Sequence, residues 1–365
     1  MKTAKNLRFR MLCMLVLTIV VAHNAFADPL FGFQLSPGSP LHRSYLADPF
    51  NTDFALNYVM LDSAESRPAY LYKVKEVDGA VTYEGYDIDQ YYTKGTTMLQ
   101  MRAGTAIPFA RISFNGTRVL PSLEVEAVMR GSFRSMFFAY SGTDNLGFDG
   151  TYSYGASAKV GSFLTLFYGR KHHSGHMGDE ILMKVEERVA HTGPSLFENT
   201  LIDYVRQDPI TYAVSLSPMQ NIRLYGELRI GDTGRILKPR FSSPDAIEDG
   251  YRGREIEVGT ELSFPIPLLG DFSLAFDMIF HEVGKFVPVG SGALKNGEYQ
   301  NYSFVYDKEA PWETEIQIVV SQALSRRTDG MKARLMATYH KGRFPLFAFH
   351  MSKGSYLAVG ASFSF

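Results

Sequence analysis

The sequence predicts an all-β fold, an antiparallel transmembrane β-barrel of about 12 strands. Three observations carry this expectation: apolar residues that alternate with polar ones at period two, connections that alternate between tight and long, and an N-terminal export leader. Successive strand side chains point to opposite faces, and a barrel in a bilayer turns its apolar face to lipid and its polar face to the lumen.

The alternation is clearest in the C-terminal half. Ile222, Leu224, Leu228 and Ile230 share one parity against Arg223, Tyr225, Glu227 and Arg229. Ile256, Val258, Leu262 and Phe264 oppose Glu255, Glu257 and Glu261. The pattern repeats at 272 to 280, with Phe272, Leu274, Phe276, Met278 and Phe280 against Ser273 and Asp277. Ile316, Ile318 and Val320 then oppose Glu313, Glu315 and Gln317, and Leu335 and Tyr339 oppose Lys332 and Arg334. The final segment sets Leu357, Val359, Phe363 and Phe365 against Ser362 and Ser364.

Between these segments the links are tight at 218 to 221, 265 to 271 and 325 to 330, and long at 232 to 252, 283 to 311 and 342 to 354. Short turns at one end and long loops at the other are the plan of an outer-membrane barrel. A soluble β-sandwich also alternates, but nothing in its architecture ties loop length to strand order. Weaker alternation places six more strands near 54 to 62, 95 to 105, 121 to 132, 149 to 159, 163 to 173 and 208 to 216. The tyrosine-rich stretch 63 to 93 reads as a long first surface loop with its own hairpin.

The leader is read from Lys2, Lys5, Arg8 and Arg10, the apolar run Met11 to Ala22, and the small-residue pattern Ala25-Phe26-Ala27. A run of that length is too short to span a bilayer and fits a cleavable signal peptide. The chain therefore divides into a signal peptide at 1 to 27, an N-terminal periplasmic segment at 28 to 53, and a transmembrane barrel at 54 to 365. Cys13, the only cysteine, falls in the leader, which excludes disulfides and cysteine catalysis in the mature chain. Removing the four basic leader residues from 37 leaves 33 against 38 acidic ones, a net charge of −5 that argues against nucleic-acid binding. The expected surroundings are the outer membrane and its lipids, with the barrel-assembly machinery engaging the C-terminal strand. The sequence calls for no cofactor.

The inward parity collects Arg102, Glu124, Glu126, Arg130, Lys159, Arg223, Glu227, Arg229, Glu255, Glu257, Glu261, Asp277, Glu313, Glu315, Lys332 and Arg334. Mixed signs on an inner wall suit either paired charges that pack a small lumen or the lining of a narrow pore.

A second candidate is local, the stretch Arg170-Lys171-His172-His173-Ser174-Gly175-His176-Met177-Gly178-Asp179-Glu180 at a strand end. It resembles the His-x-Ser-Ser-His-Leu-Gly-Asp-Glu motif of an uncharacterised family of bacterial outer-membrane barrels. His172, Ser174, His176, Gly178, Asp179 and Glu180 match that motif, with Gly175 in place of the second serine and Met177 in place of leucine. The resemblance implies fold and location and supplies no reaction. Chemically, His172 and Ser174 lie two apart on a strand and share a face, where an imidazole can activate a hydroxyl. That pair also resembles the His-x-Ser-Asn of outer-membrane phospholipases and lipid A deacylases, with Gly175 where those enzymes carry asparagine. His172, His176, Asp179 and Glu180 together form a second reading, a metal site. A hydrogen-bonded cluster that ties the loop to the rim is the third.

The whole sequence thus leads to an outer-membrane barrel, with a narrow pore or small-solute transporter as its first reading. A lipid hydrolase using His172 and Ser174, and a structural or surface-interaction barrel, are the alternatives. The exported protein is expected to begin at Asp28; mass spectrometry that found Met1 retained would contradict the leader.

Overall fold

The computed structural model describes residues 30–62, 69–77, 80–87, 97–117, 120–139, 145–178, 199–201, 204–231, 236–237, 254–267, 270–282, 285–289, 294–295, 298–299, 303–307, 312–324, 332–346 and 353–364. The leader, Phe365, Asp179 and Glu180 lie outside them. One sheet has fourteen members: β1 (Phe31–Leu35), β2 (Phe54–Leu61), β3 (Thr97–Phe114), β4 (Leu123–Phe138), β5 (Asn145–Val160), β6 (Leu164–Met177), β7 (Tyr204–Gln207), β8 (Ile210–Met219), β9 (Ile222–Ile230), β10 (Arg254–Ile266), β11 (Gly270–His281), β12 (Glu313–Ala323), β13 (Lys332–Arg343) and β14 (Lys353–Ser364). Twelve of them form the wall, each antiparallel to the next, and β2 pairs with β14 from Phe54↔Phe363 to Leu61↔Tyr356 to close the ring. Closure leaves no open sheet edge, which is the condition for strands to cross a bilayer. Among the described residues no helix is long and apolar enough to cross a membrane.

The wall is polarised inside out. Leu56, Leu224, Ile256, Val258, Leu335, Leu357 and Val359 are exposed on the outer face, whereas the inward-facing Asn57, Glu227, Glu257 and Ser362 are buried. Soluble domains do the reverse, so this polarity belongs to a barrel embedded in lipid. Exposed Phe31, Phe54, Phe109, Phe163 and Phe264 lie towards the end of the tight turns, with Phe31 packed on Phe114 and Phe54 on Phe363. Aromatic rings of this kind form the interfacial girdle.

The strands anticipated in the C-terminal half lie within a residue or two of where alternation puts them. In the N-terminal half they run longer. The strand expected to stop near 105 continues to Phe114, across a register shift at Pro108/Ala110. Proline lacks the donor a ladder needs, so it is tolerated where pairing is already interrupted. That shift lies on the edge of β3 that faces β4, and the opposite edge is divided between two strands. Along that opposite edge, β1 pairs with Ala110 to Phe114 and β2 with Thr97 to Arg102.

Between β1 and β2 the chain leaves the wall. Residues 36 to 53, expected on the periplasmic side, instead cross the lumen, while 31 to 35 form part of the sheet. Ser36 N donates to Phe109 O at 2.9 Å as the chain departs. It returns against Gly104, where an added Cβ would lie 2.8 Å from Thr52 Cα, so only glycine permits the approach. The correction has a physical reason. An irregular segment carries no period that tells inside from outside, and its polar and aromatic side chains suit a charged lumen. Outside the wall, Ala69–Val77 and Ala80–Asp87 pair as the hairpin read in 63 to 93, with Asn199–Leu201 added to it.

Leu224→Arg sets a charge on the lipid face and is expected to cost about 2 to 4 kcal/mol near the bilayer midplane. Reversible urea unfolding in lipid vesicles measures it; an unchanged midpoint would mean that this face does not meet lipid.

Candidate functional site

Residues 36 to 53 cross the lumen and are held there by the charged and polar side chains they meet. Arg130 donates to His42 Nδ1 at 3.0 Å and to its carbonyl at 2.6 Å. The ring is therefore neutral, accepting at Nδ1 and donating from Nε2 to the Tyr45 hydroxyl at 3.2 Å. Tyr45 stacks on Tyr225 at 3.7 Å between centroids, and Arg223 lies over the Tyr45 ring while donating to the carbonyls of Arg43 and Ser44. Glu126 accepts from Leu41 N at 2.6 Å, Glu261 from Leu46 N, and Gln317 donates to Ala47 O. Arg102 holds Asp53 at the segment's end, Nε to Oδ1 at 2.8 Å. Among the described residues, aliphatic packing of the segment is a small patch where Ala47, with Leu46 beside it, meets Ala275, Val319 and Met336, and aromatic contact is made by Tyr45 on Tyr225 and Phe50 on His173.

Beyond this segment, towards the long-loop end, a chain of ionisable groups crosses the inner wall. Arg229 is surrounded by Glu227 at 2.5 Å, Glu255 at 3.0 Å and Glu257. His281 bridges Glu255 at 3.2 Å and Glu315 at 3.0 Å, and His340 lies 3.8 Å from Glu315. The Tyr225 hydroxyl donates to Asp277 at 2.8 Å. Nearer the ends, Glu313 pairs with Arg343 at 3.0 Å, Glu124 lies 3.6 Å from Arg111, and Arg334 reaches Ser273 and Ser321. Lys159 is half-buried, and the Lys332 side chain lies outside the described residues. The lumenal space left among these groups is small. One cavity of about 50 Å³ lies among Asp48, Arg134, His173, Arg229, Glu255 and His281, and another of about 40 Å³ borders Tyr45 and Arg130.

Alternation alone leaves out several members of this network. Arg134 pairs with Asp149 at 2.8 Å, and both keep the inward parity of their strands. Arg134 escapes because the expected strand ends near 132, whereas β4 runs to Phe138. His281 shares the inward parity of β11, and that parity is the signal that could find it, whereas Arg343 has the outward parity of β13 and is buried just after Gly342, where φ is 143°, so alternation alone does not find it.

The strand-end motif is divided by the wall. His173 points inward, 3.7 Å from Asp149 and edge-on to Phe50. His172, Ser174 and His176 take the other parity, which they share with exposed Leu166 and Tyr168. His172 stacks on Tyr152 at 4.6 Å and His176 on Phe148 at 4.6 Å. His172 Nδ1 lies 2.6 Å from Asp208 Oδ1. Asp208 reaches this place because β7 and β8 both pair with β6 and the Asp208-Pro209 step falls between them. Gly178 is buried beside Asn145, where no Cβ would fit. Among the described residues no cluster of three or more metal-ligating side chains forms.

No family model matches the chain, and no curated protein matches it. Solved structures do. The outer-membrane phospholipase dimer of Salmonella typhi with bound calcium is 8% identical over 86% of this chain and 91% of that one, with a TM-score of 0.46. The KdgM porin is 9% identical over 86% and 99%, with a TM-score of 0.34. The toluene transporter TodX of Pseudomonas putida is 9% identical over 85% and 88%, with a TM-score of 0.34. At such identities these are likenesses of barrel architecture and assign no activity.

Arg229→Ala leaves three buried carboxylates around an empty place, and removing one partner of a buried ion pair costs about 3 to 5 kcal/mol. A fall in the temperature at which the folded band is lost on gels is expected. An unchanged transition would mean that the cluster carries little of the stability.

Proposed function

We propose that this chain is an outer-membrane β-barrel whose charge-lined lumen passes small solutes, and that residues 36 to 53 are its gate. Membership in the uncharacterised barrel family of the strand-end motif is part of this proposal. The observation that carries it is how the segment is held. Its contacts with the wall are mainly hydrogen bonds from Arg130, Arg223 and Gln317 and to Glu126 and Glu261, rather than a continuous apolar core. Such bonds exchange with water at a net cost of only about 0.5 to 1.5 kcal/mol each, up to about 3 where a charge takes part, so the segment can leave while the wall stays closed. A lumen with the segment removed is lined by both signs of charge, which suits polar solutes better than apolar ones.

The wild-type protein in planar bilayers is expected to be mostly silent, with rare openings. Deleting residues 38 to 50, or replacing both Arg130 and Arg223 by Ala, should produce discrete conductance steps that fall as ionic strength falls. A deletion variant that runs as a folded barrel on gels yet stays silent would refute the conduit.

A further inference from the structure

We propose that the outer face of the barrel carries an acyl-ester hydrolase site, with Ser174 as nucleophile, His172 as general base and Asp208 as the residue that positions the histidine. The site lies on the other side of the wall from the lumen and stands or falls separately from the conduit.

Three observations converge on it. First, an aspartate occurs where a lipid-facing wall should carry none. Asp208 has the parity of Tyr212 and Val214, both exposed outward, and charges on that face are costly. The 2.6 Å contact with His172 Nδ1 gives the carboxylate a partner and leaves the other ring nitrogen, Nε2, as the proton acceptor. Second, Ser174 is two residues along the same face of β6, about 7 Å away at Cα. Ser174 is buried, and its register partner on β5 is Gly150, which sets no side chain against the hydroxyl; an added Cβ there would meet Oγ at 3.6 Å, an ordinary contact. The neighbouring Tyr152 supports the imidazole from that same strand. The reaction requires a rotamer that brings Oγ to Nε2, and catalytic hydrogen bonds commonly tighten only when substrate binds.

Third, the site has the right depth and the right neighbours for a membrane lipid. His172 is eight residues beyond the start of β6, which places it about 20 Å above the tight-turn end for a strand tilted as barrel strands are, near the outer edge of an apolar band about 25 Å tall. Ester groups of a lipid lie at that boundary. Directly along the strands towards the membrane centre, Leu166, Tyr168, Tyr212 and Val214 border a shallow, mainly apolar concavity of about 690 Å³. Acyl chains whose ester carbonyl reached Ser174 would lie in it.

The chemistry closes on these groups. Ser174 Oγ attacks the ester carbonyl carbon while its proton passes to His172 Nε2. The tetrahedral adduct collapses, the bond to the alcohol oxygen breaks, and the imidazolium returns the proton to that leaving oxygen, giving an acyl-serine and a free alcohol. Water then attacks the acyl-serine as Nε2 takes one of its protons. Breakage of the acyl–Oγ bond, with return of that proton to Oγ, releases the fatty acid and restores the enzyme. Asp208 remains ionised throughout and steadies the imidazolium in both steps.

The test is release of fatty acid by the folded full-length protein, in one arm from phosphatidylethanolamine vesicles and in the other from lipopolysaccharide, with labelling by a fluorophosphonate as a second readout. Release or labelling by the wild type that disappears in Ser174→Ala is expected, and the arm that responds names the lipid. Asp208→Ala should lower kcat about 10²- to 10⁴-fold and leave KM within a few-fold, since the imidazole loses the carboxylate that orients it. Asp208→Glu should recover part of the rate. Folding of each variant is checked by heat-modifiable migration. No release in either arm together with no labelling of the folded wild type, or a Ser174→Ala protein as active as the wild type, would overturn the proposal.

Discussion

The ladder between β2 and β14 is the interaction on which the rest of the structure depends. In hydrocarbon every backbone donor and acceptor must be paired within the protein, so a wall of strands is stable there only as a closed ring. Here the last strand meets the first over the register Phe54↔Phe363 to Leu61↔Tyr356. The first place in the wall is shared, with β1 and β2 on one edge of β3. That division lets the chain enter the lumen without opening the ring.

Once the segment is inside, the charges of the inner wall acquire their roles. Arg130, Arg223, Glu126 and Glu261 turn towards a backbone that presents free carbonyl and amide groups, while Arg229 and its three glutamates form a separate belt beyond it. Buried ion pairs are weak evidence of stability, because desolvation offsets much of their attraction. Their arrangement here is more informative about specificity, since each charge meets a particular backbone group of the segment or a particular partner on the wall.

The wall also separates two kinds of chemistry that lie adjacent in sequence. His172 and His173 differ by one residue, yet one meets Asp208 on the lipid side and the other meets Asp149 and Phe50 in the lumen. Period two makes this separation unavoidable for any pair of neighbours on a strand.

The sequence by itself determined the approximate number of wall strands, the face taken by the side chains of the clearly alternating strands and the alternation of short with long connections. All three follow from local alternation and spacing, which any window of the chain displays. Outward parity also makes Asp208 anomalous, a signal carried by its even spacing from Tyr212 and Val214 on the strand that follows. What only the tertiary structure decided is what those faces meet: the path of residues 36 to 53 through the lumen, the Arg134 to Asp149 pair beyond the expected strand end, and the contact of Asp208 with His172. These join residues far apart in the chain or follow an irregular backbone. They are set by closure of the ring and by its register, and no local period encodes either.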